Sequence, residues 1–400
     1  MKLQQTDLPE PSADARAASE ALTRIIAAEI AARGGWMSFA RYMELALYAP
    51  GLGYYSGGSR KFGVAGDFLT APELTPLYGR ALARQVAQIL AASSPQVMEI
   101  GAGSGRLAVD LLAALDALGC APERYRILEL SGELRARQEA TLRQHAARFA
   151  DRVEWLEELP ERFSGCLLGN EVLDAMPTHA LRWDDKGKGI MERGVALGDQ
   201  RLVTAERPAE GALLAAAGAL PVVPPYRGEV SLAVRSWVAE LSRRIERGAL
   251  LLIDYGLPRH ELYHAQRDGG TVRCHYRHRI HEDPFWFPGL SDITSHVDFT
   301  AVAEAGFDAG LDVLGYTNQA NFLINCGIAE LLLEDRDQHD GLPAAGGGSA
   351  AATADLLARG AVNVLISPNE MGELFKVIAL GRDVPGSLLG FSRGDRVHAL

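Results

Sequence analysis

The chain has 400 residues, 48% of them hydrophobic, so it is long enough to bury a large core and places itself among globular proteins. A formal net charge of −11 with no long run of lysine or arginine argues against a nucleic-acid footprint. No uninterrupted apolar segment approaches the roughly 20 residues of a membrane span, the N-terminal MKLQQTDLPEPSADAR lacks an apolar signal core, and Cys120, Cys166, Cys274 and Cys326 are too widely separated for a zinc site or a disulfide framework. A cytoplasmic protein with reduced thiols and no membrane insertion is expected.

Apolar spacing predicts a helix over 19–33, ended by Gly34-Gly35, and a second over 39–47. YAPGLGYYSGGSRKFGVAGDFLTAPELTP follows, a long loop rich in glycine, proline and tyrosine. Loops of this length in compact proteins are more often functional than filler. After a predicted helix over 78–92 comes VMEIGAGSGRLAVDLL, residues 97–112: a short apolar strand, a turn with glycine at every second position, then a helix. Gly101, Gly103 and Gly105 lack Cβ atoms, so the chain can turn sharply, bring its amides close to a ligand and pack the next helix against the strand. A dinucleotide fingerprint wants its third glycine where Arg106 stands. Glu99, two residues before the first glycine, supplies a carboxylate able to fix the turn or approach a cationic ligand.

This E-x-G-x-G-x-G pattern resembles motif I of class I S-adenosylmethionine (SAM) methyltransferases. The next strand, YRILEL, ends on Glu129, where a carboxylate can accept both ribose hydroxyls of such a cofactor. Farther along, a polar helix runs to about residue 150, VEWLEEL supplies a third strand ending near Glu157, and 166–169 a fourth. A β-hairpin over 181–208 is predicted as an insertion, with turns at Asp184-Asp185-Lys186-Gly187 and Gly198-Asp199. A helix over 233–246 precedes the fifth strand, ALLLIDYG; 298–305 is predicted helical, 311–316 and 375–380 are the sixth and seventh strands, and 339–352 is a flexible surface loop. The expected fold is α/β, a seven-stranded doubly wound class I SAM methyltransferase sheet with an N-terminal helical extension and inserted hairpin and helical segments. Its expected organisation is 1–95 for the helices and glycine-rich loop covering the cofactor, 96–260 for the SAM-binding core, 261–335 for an insertion and the sixth strand, and 336–400 for the loop, a helix and the seventh strand.

Ligands in open α/β sheets lie beyond the carboxyl ends of the strands. The fourth strand ends in Asn170-Glu171-Val172-Leu173-Asp174-Ala175-Met176-Pro177. Glu171 and Asp174 are spaced to share a face in a helical turn, and two carboxylates there need partners. Capping of the turn and recognition of a cationic acceptor both satisfy that need. His179 serves either as a base or as a hydrogen-bonded structural histidine, and Asp254-Tyr255-Gly256 lines an acceptor channel or forms a turn. His275, His278 and His281 lie in the basic RCHYRHRIH segment, where no cysteine or carboxylate pattern completes a metal motif; no metal is expected, and the patch suits an acidic loop of this protein or of a partner.

GDFLTAPE, MEIGAGSGRLA, NEVLDAMPTH, LLIDYG, TVRCHYRHRIHEDPF, DITSHVDF and MGELFKV, in this order, resemble the MidA-like family, bacterial relatives of the mitochondrial complex I assembly methyltransferase. The likeness spans Gly66 to Val377. It implies a class I SAM fold and protein arginine N-methylation, the mitochondrial member symmetrically dimethylating an arginine of a complex I core subunit. A protein substrate with an exposed arginine is therefore expected. Glu171, then Asp174, are the residues expected to orient the guanidinium; Asn170 is expected at the methionine end of SAM, Glu157 or its backbone at adenine, and Asp67 and Thr70 in a loop closing over the cofactor. A small-molecule methyltransferase and a SAM-binding assembly factor without essential methyl transfer are the alternatives. A nicotinamide dehydrogenase is disfavoured by the glycine spacing.

Overall fold

The computed structural model describes residues 8–57, 70–184, 189–199, 201–340, 348–384 and 386–400. Chain packing divides into two compact units, one of Met1–Phe68, Leu173–Val238 and Leu257–Val302, the other of Leu69–Val172, Ala239–Gly256 and Ala303–Leu400.

The second unit is built on a sheet of β1 (Gln96–Ile100), β2 (Arg124–Leu128), β3 (Val153–Leu156), β4 (Phe163–Asn170), β5 (Ile245–Leu257), β6 (Asp312–Asn318) and β7 (Phe375–Arg382). Their order is β6-β7-β5-β4-β1-β2-β3. β1 to β5 are mutually parallel, and β7 runs antiparallel to both neighbours. Strand order reverses at β1, whose partners are β2 on one side and β4 on the other. β1, β4 and β5 are nearly continuous apolar runs because helices cover both faces of a parallel sheet. Three helices concern the site: α1 (Pro76–Ala92), α2 (Arg106–Ala117) and α3 (Gly132–His145). α2 buries Leu107, Leu111, Leu112 and Leu115 in the core that also holds Val97, Ile127, Leu168 and Ile253.

The first unit contains the helices Ala13–Ala32 and Phe39–Tyr48 and a five-stranded antiparallel sheet. The former helix starts earlier than its apolar spacing predicts because Ser12 caps it, its hydroxyl accepting from the Ala15 amide at 3.2 Å. The expected hairpin over 181–208 is instead a three-stranded meander, His179–Trp183, Ile190–Leu197 and Leu202–Pro208, widened by Tyr226–Val230 and Met37–Ser38. Two turn signals in that segment join three strands, not two. Asp185, Lys186 and Gly187 of the first turn lie outside the described residues. The RCHYRHRIH segment forms a second hairpin, Arg273–Tyr276 against Arg279–His281, with Arg277 and His278 in the left-handed region at its tip.

The flexible loop expected over 339–352 is corrected by the helices Ile328–Asp340 and Gly348–Ile366, which leave 341–347 outside the described residues. Alanine, abundant from Ala350 onward, has the highest helix propensity, and small-residue composition alone does not mark a loop.

β4 and β5 approach each other through Gly165 and Gly248, which face one another in register. A Cβ on Gly248 would lie 1.9 Å from the Gly165 carbonyl oxygen, and one on Gly165 2.1 Å from that of Gln96; both residues have φ of 123° or more. Alanine at 248 therefore adds backbone strain to a steric clash. Gly248→Ala is expected to lower unfolding stability by about 3 kcal/mol, read as a shifted urea midpoint; a change within about 0.5 kcal/mol would show that the two strands can separate without cost.

Candidate cofactor and acceptor site

All three loop glycines adopt positive φ, Gly101 at 66°, Gly103 at 54° and Gly105 at 81°. Each sits where a side chain would be strained. Gly101 donates its amide to the Leu128 carbonyl at 3.2 Å, tying the end of β1 to β2, while Gly105 caps α2. A Cβ at Gly105 would meet Gln138 Cα at 3.1 Å, so α3 also packs on the loop.

Gln138, fully buried on α3, was not found by sequence reasoning. Its Oε1 accepts from the Trp155 indole at 3.0 Å, and its Nε2 donates to the Gly103 carbonyl at 3.2 Å and to Glu129 Oε2 at 2.9 Å. An indole is donor only, so it fixes which way the amide faces. Glu129, just beyond β2, also accepts from the Ser131 amide through Oε1 at 2.8 Å. Burial pushes its carboxyl up, against the effect of those hydrogen bonds. A carboxylate offers about four lone-pair directions, so these bonds orient Glu129 and leave it able to accept ribose hydroxyls.

Glu99 lies below the loop, 2% exposed, and accepts from the Tyr125 hydroxyl at 2.5 Å. Glu157 follows β3 and is highly exposed, 3.8 Å from Arg135. Thr70 precedes the short helix Ala71–Leu74, its carbonyl accepting from the Glu73 amide at 3.0 Å. Glu73, which closes the GDFLTAPE motif, receives a hydrogen bond from Ser104 of the glycine loop. Asp67 lies outside the described residues.

Asn170 closes β4. Its Oδ1 accepts from the Tyr78 hydroxyl on α1 at 2.6 Å, and its Nδ2 donates to Glu171 Oε1 at 3.1 Å. The helical turn expected to carry Glu171 and Asp174 on one face does not form: Glu171 has φ of 54°, and bends and turns follow. Its amide donates to the Ile253 carbonyl at 2.8 Å and the Val172 amide to Asp254 Oδ2 at 3.0 Å, bonds that tie this turn to β5. Asp254 is fully buried and also accepts from the Tyr255 amide at 2.8 Å.

Asp174 belongs to the other unit and is described within it. It is 5% exposed, its carbonyl accepts from the Ser295 amide at 2.9 Å, and its negative charge contributes to holding the buried Tyr55 phenol well above its ordinary pKa, after burial itself and Asp292. In the same unit His179 Nδ1 lies 2.6 Å from Glu192 Oε1, an arrangement that suits both an oriented base and a structural histidine. Burial takes His275 down to about 4, so it is neutral at pH 7. Among the described residues no group of three or more His, Cys, Asp or Glu side chains could hold a metal ion.

A sheet of this order with one antiparallel strand, a left-handed glycine loop at the switch point and a hydrogen-bonded carboxylate just beyond the next strand is that of a class I SAM-dependent methyltransferase. Residues 81–317 match a family of S-adenosyl-L-methionine-dependent methyltransferases, and the chain belongs to it, on its MidA-like branch. It is 51% identical to a protein from Burkholderia thailandensis whose crystal structure holds S-adenosyl-homocysteine, with a TM-score of 0.92 over 98% of this chain and 100% of that one. It is also similar to the mitochondrial protein arginine methyltransferase NDUFAF7 of Danio rerio, at 28% identity covering 90% of this chain and 87% of the relative, and to that of Homo sapiens, at 26% covering 86% and 80%. SAM is the cofactor. The glycine loop and Glu129 fit it, and its sulfonium supplies an electrophilic methyl group.

Burial raises Glu99 from about 4.5 to about 7, aided by the Glu129 charge and opposed by the Tyr125 hydrogen bond. A carboxyl held above its unfolded value binds its proton more tightly in the native state. Its contribution to stability is complete below about pH 4.5 and is lost as pH rises through about 7. The stability of Glu99→Gln relative to the parent is expected to rise by about 3 kcal/mol between pH 4 and pH 8, measured by urea unfolding of the cofactor-free protein; a difference independent of pH would contradict the placement of Glu99 in an apolar interior.

Proposed function

We propose that this methyltransferase is a protein arginine N-methyltransferase, with Glu171 as the residue that meets the acceptor. The observation that carries this reading is Glu171 at the carboxyl end of β4, its main chain bonded to β5 and its carboxylate held by Asn170. The named activity of the NDUFAF7 relatives supports it. A guanidinium stays protonated, with a pKa above roughly 12, and is a weak nucleophile. A carboxylate forked onto two of its nitrogens orients the third and draws positive charge away from it. As that nitrogen gained the methyl, the methyl–sulfur bond would break with its electron pair left on the thioether S-adenosyl-homocysteine, and one N–H proton would leave by way of the carboxylate to solvent. Asp174 is the second candidate for this role.

Glu129 would hold the ribose, the turn of Gly101, Gly103 and Gly105 would admit the cofactor close to the main chain, Asn170 would meet the methionine end, Glu157 or its backbone the adenine, and Thr70 would belong to the covering loop. Glu99 would act from beneath the loop by supporting the turn. We further propose, with the family resemblance as support, symmetric dimethylation of a respiratory complex I core subunit in the cytoplasm.

Tritiated SAM and a library of short peptides, each with one central arginine or with lysine in its place, test the reading. Methyl transfer to arginine peptides alone is expected. Glu171→Gln should lower kcat about a thousandfold while leaving the SAM Kd unchanged. Labelling of small molecules but of no peptide would replace the substrate class, and wild-type biological activity of Glu171→Gln would favour an assembly factor that acts by binding.

Titration calorimetry tests the cofactor contacts separately. Glu129→Ala is expected to weaken SAM about 10- to 100-fold, with unaltered affinity counting against a ribose contact there.

A further inference from the structure

We propose that Tyr78 is a positioning residue for Glu171, acting through the side-chain amide of Asn170; the inference rests on the reading in which Glu171 meets the acceptor. Tyr78 is fully buried on α1, and its hydroxyl lies 2.6 Å from Asn170 Oδ1. Burial, with the negative Glu171 and Glu99 nearby, holds the phenol well above its ordinary pKa, so it stays a donor. The Glu171 carboxylate only accepts, so it takes the amide's NH₂ group and leaves Oδ1 to the Tyr78 hydroxyl, whose donation there holds that orientation. The NH₂ group then faces Glu171, and Nδ2 reaches Oε1 at 3.1 Å. The opposite flip would set the amide oxygen against the carboxylate, two acceptors face to face.

The chain Tyr78–Asn170–Glu171 therefore has a direction, and it complements the main-chain bonds. β5 holds the backbone of residues 171 and 172 through the Ile253 carbonyl and Asp254. α1 holds the carboxylate. The segment leading into α1 is tied to the cofactor loop, since Glu73 accepts from Ser104 and Thr75 caps α1 through the Leu77 amide at 3.3 Å. One short stretch, 70–78, thus bonds to the glycine loop and, by way of Asn170, reaches the residue that would align the acceptor. Alignment within a few tenths of an ångström is what in-line displacement requires of a protein.

Tyr78→Phe keeps the ring and deletes the hydroxyl. With the arginine peptide methylated best in the library, kcat is expected to fall about 10- to 100-fold. The peptide KM, the SAM Kd and the melting temperature should hardly move, a split that a purely structural role would not produce. Asn170→Ala should lower kcat similarly, and Tyr78→Phe should cost nothing further in that background. Unchanged kcat in Tyr78→Phe, additive losses in the double variant, or a joint fall in kcat, SAM affinity and melting temperature would each overturn the proposal. Glu171→Gln, measured alongside, separates the two levels. If it keeps the parental kcat, the reading of Glu171 fails and the inference with it; if it is inactive while Tyr78→Phe is fully active, only the inference fails.

Discussion

A buried polar group without a partner costs about 1–3 kcal/mol, and at the carboxyl edge of this sheet that obligation determines where the chain goes. Asp254, fully buried, is bonded to the amides of Val172 and Tyr255. Lys376, 1% exposed at the start of β7, stands in register with both Asp254 and Asn318 and donates to Glu373 Oε1 at 3.1 Å. Asn318 donates to the same Glu373. β7 runs antiparallel, so its first residues lie beside the last residues of β5 and β6. Opposite charges thereby collect at one edge, and each buried ion has a hydrogen-bonded counterpart.

The same accounting shapes the cofactor side. Gln138 has one acceptor and two donor hydrogens; the Trp155 indole takes the acceptor, and the donors go to the glycine loop and to Glu129. Replacing any member would leave the others without that partner. Orientation set before the ligand arrives reduces what binding must order, which is how a preorganised carboxylate contributes to affinity. The glycine loop gains likewise. Its left-handed backbone is held by α3 and β2 through named bonds, so its shape does not depend on its own sequence alone.

Local pattern reveals what local physics decides. The glycine spacing, the carboxylate ending YRILEL and the apolar strands were legible because each depends on neighbours in sequence; β2 and β3 end within a residue of their expected ends. Tyr78 and Gln138 matter through partners distant in the chain, as with the hydrogen bond from Tyr78 to Asn170. No periodicity announces such pairs. The helical turn expected at 171–174 fails for the same reason, since Glu171, its amide on the distant Ile253 carbonyl, takes a left-handed φ of 54° that starts no right-handed helix. Composition misled at 339–352, where small residues suit a helix as well as a loop.

Glu171 shows most clearly what this edge of the sheet is built to hold. A non-glycine residue in the left-handed region costs roughly 1–2 kcal/mol, and residues in such conformations cluster at functional sites because the surroundings over-determine them. Glycine at 171 would relieve that strain at once and could still donate its amide to Ile253. What glycine lacks is the carboxylate. Three bonds here, from the Glu171 amide, the Val172 amide and the Asn170 side chain, offset the strain and also fix the direction of that carboxylate. On the proposed reading of Glu171, the strained backbone and the directed amide serve one end: a negative group held at the carboxyl end of a strand, where open α/β sheets bind their ligands.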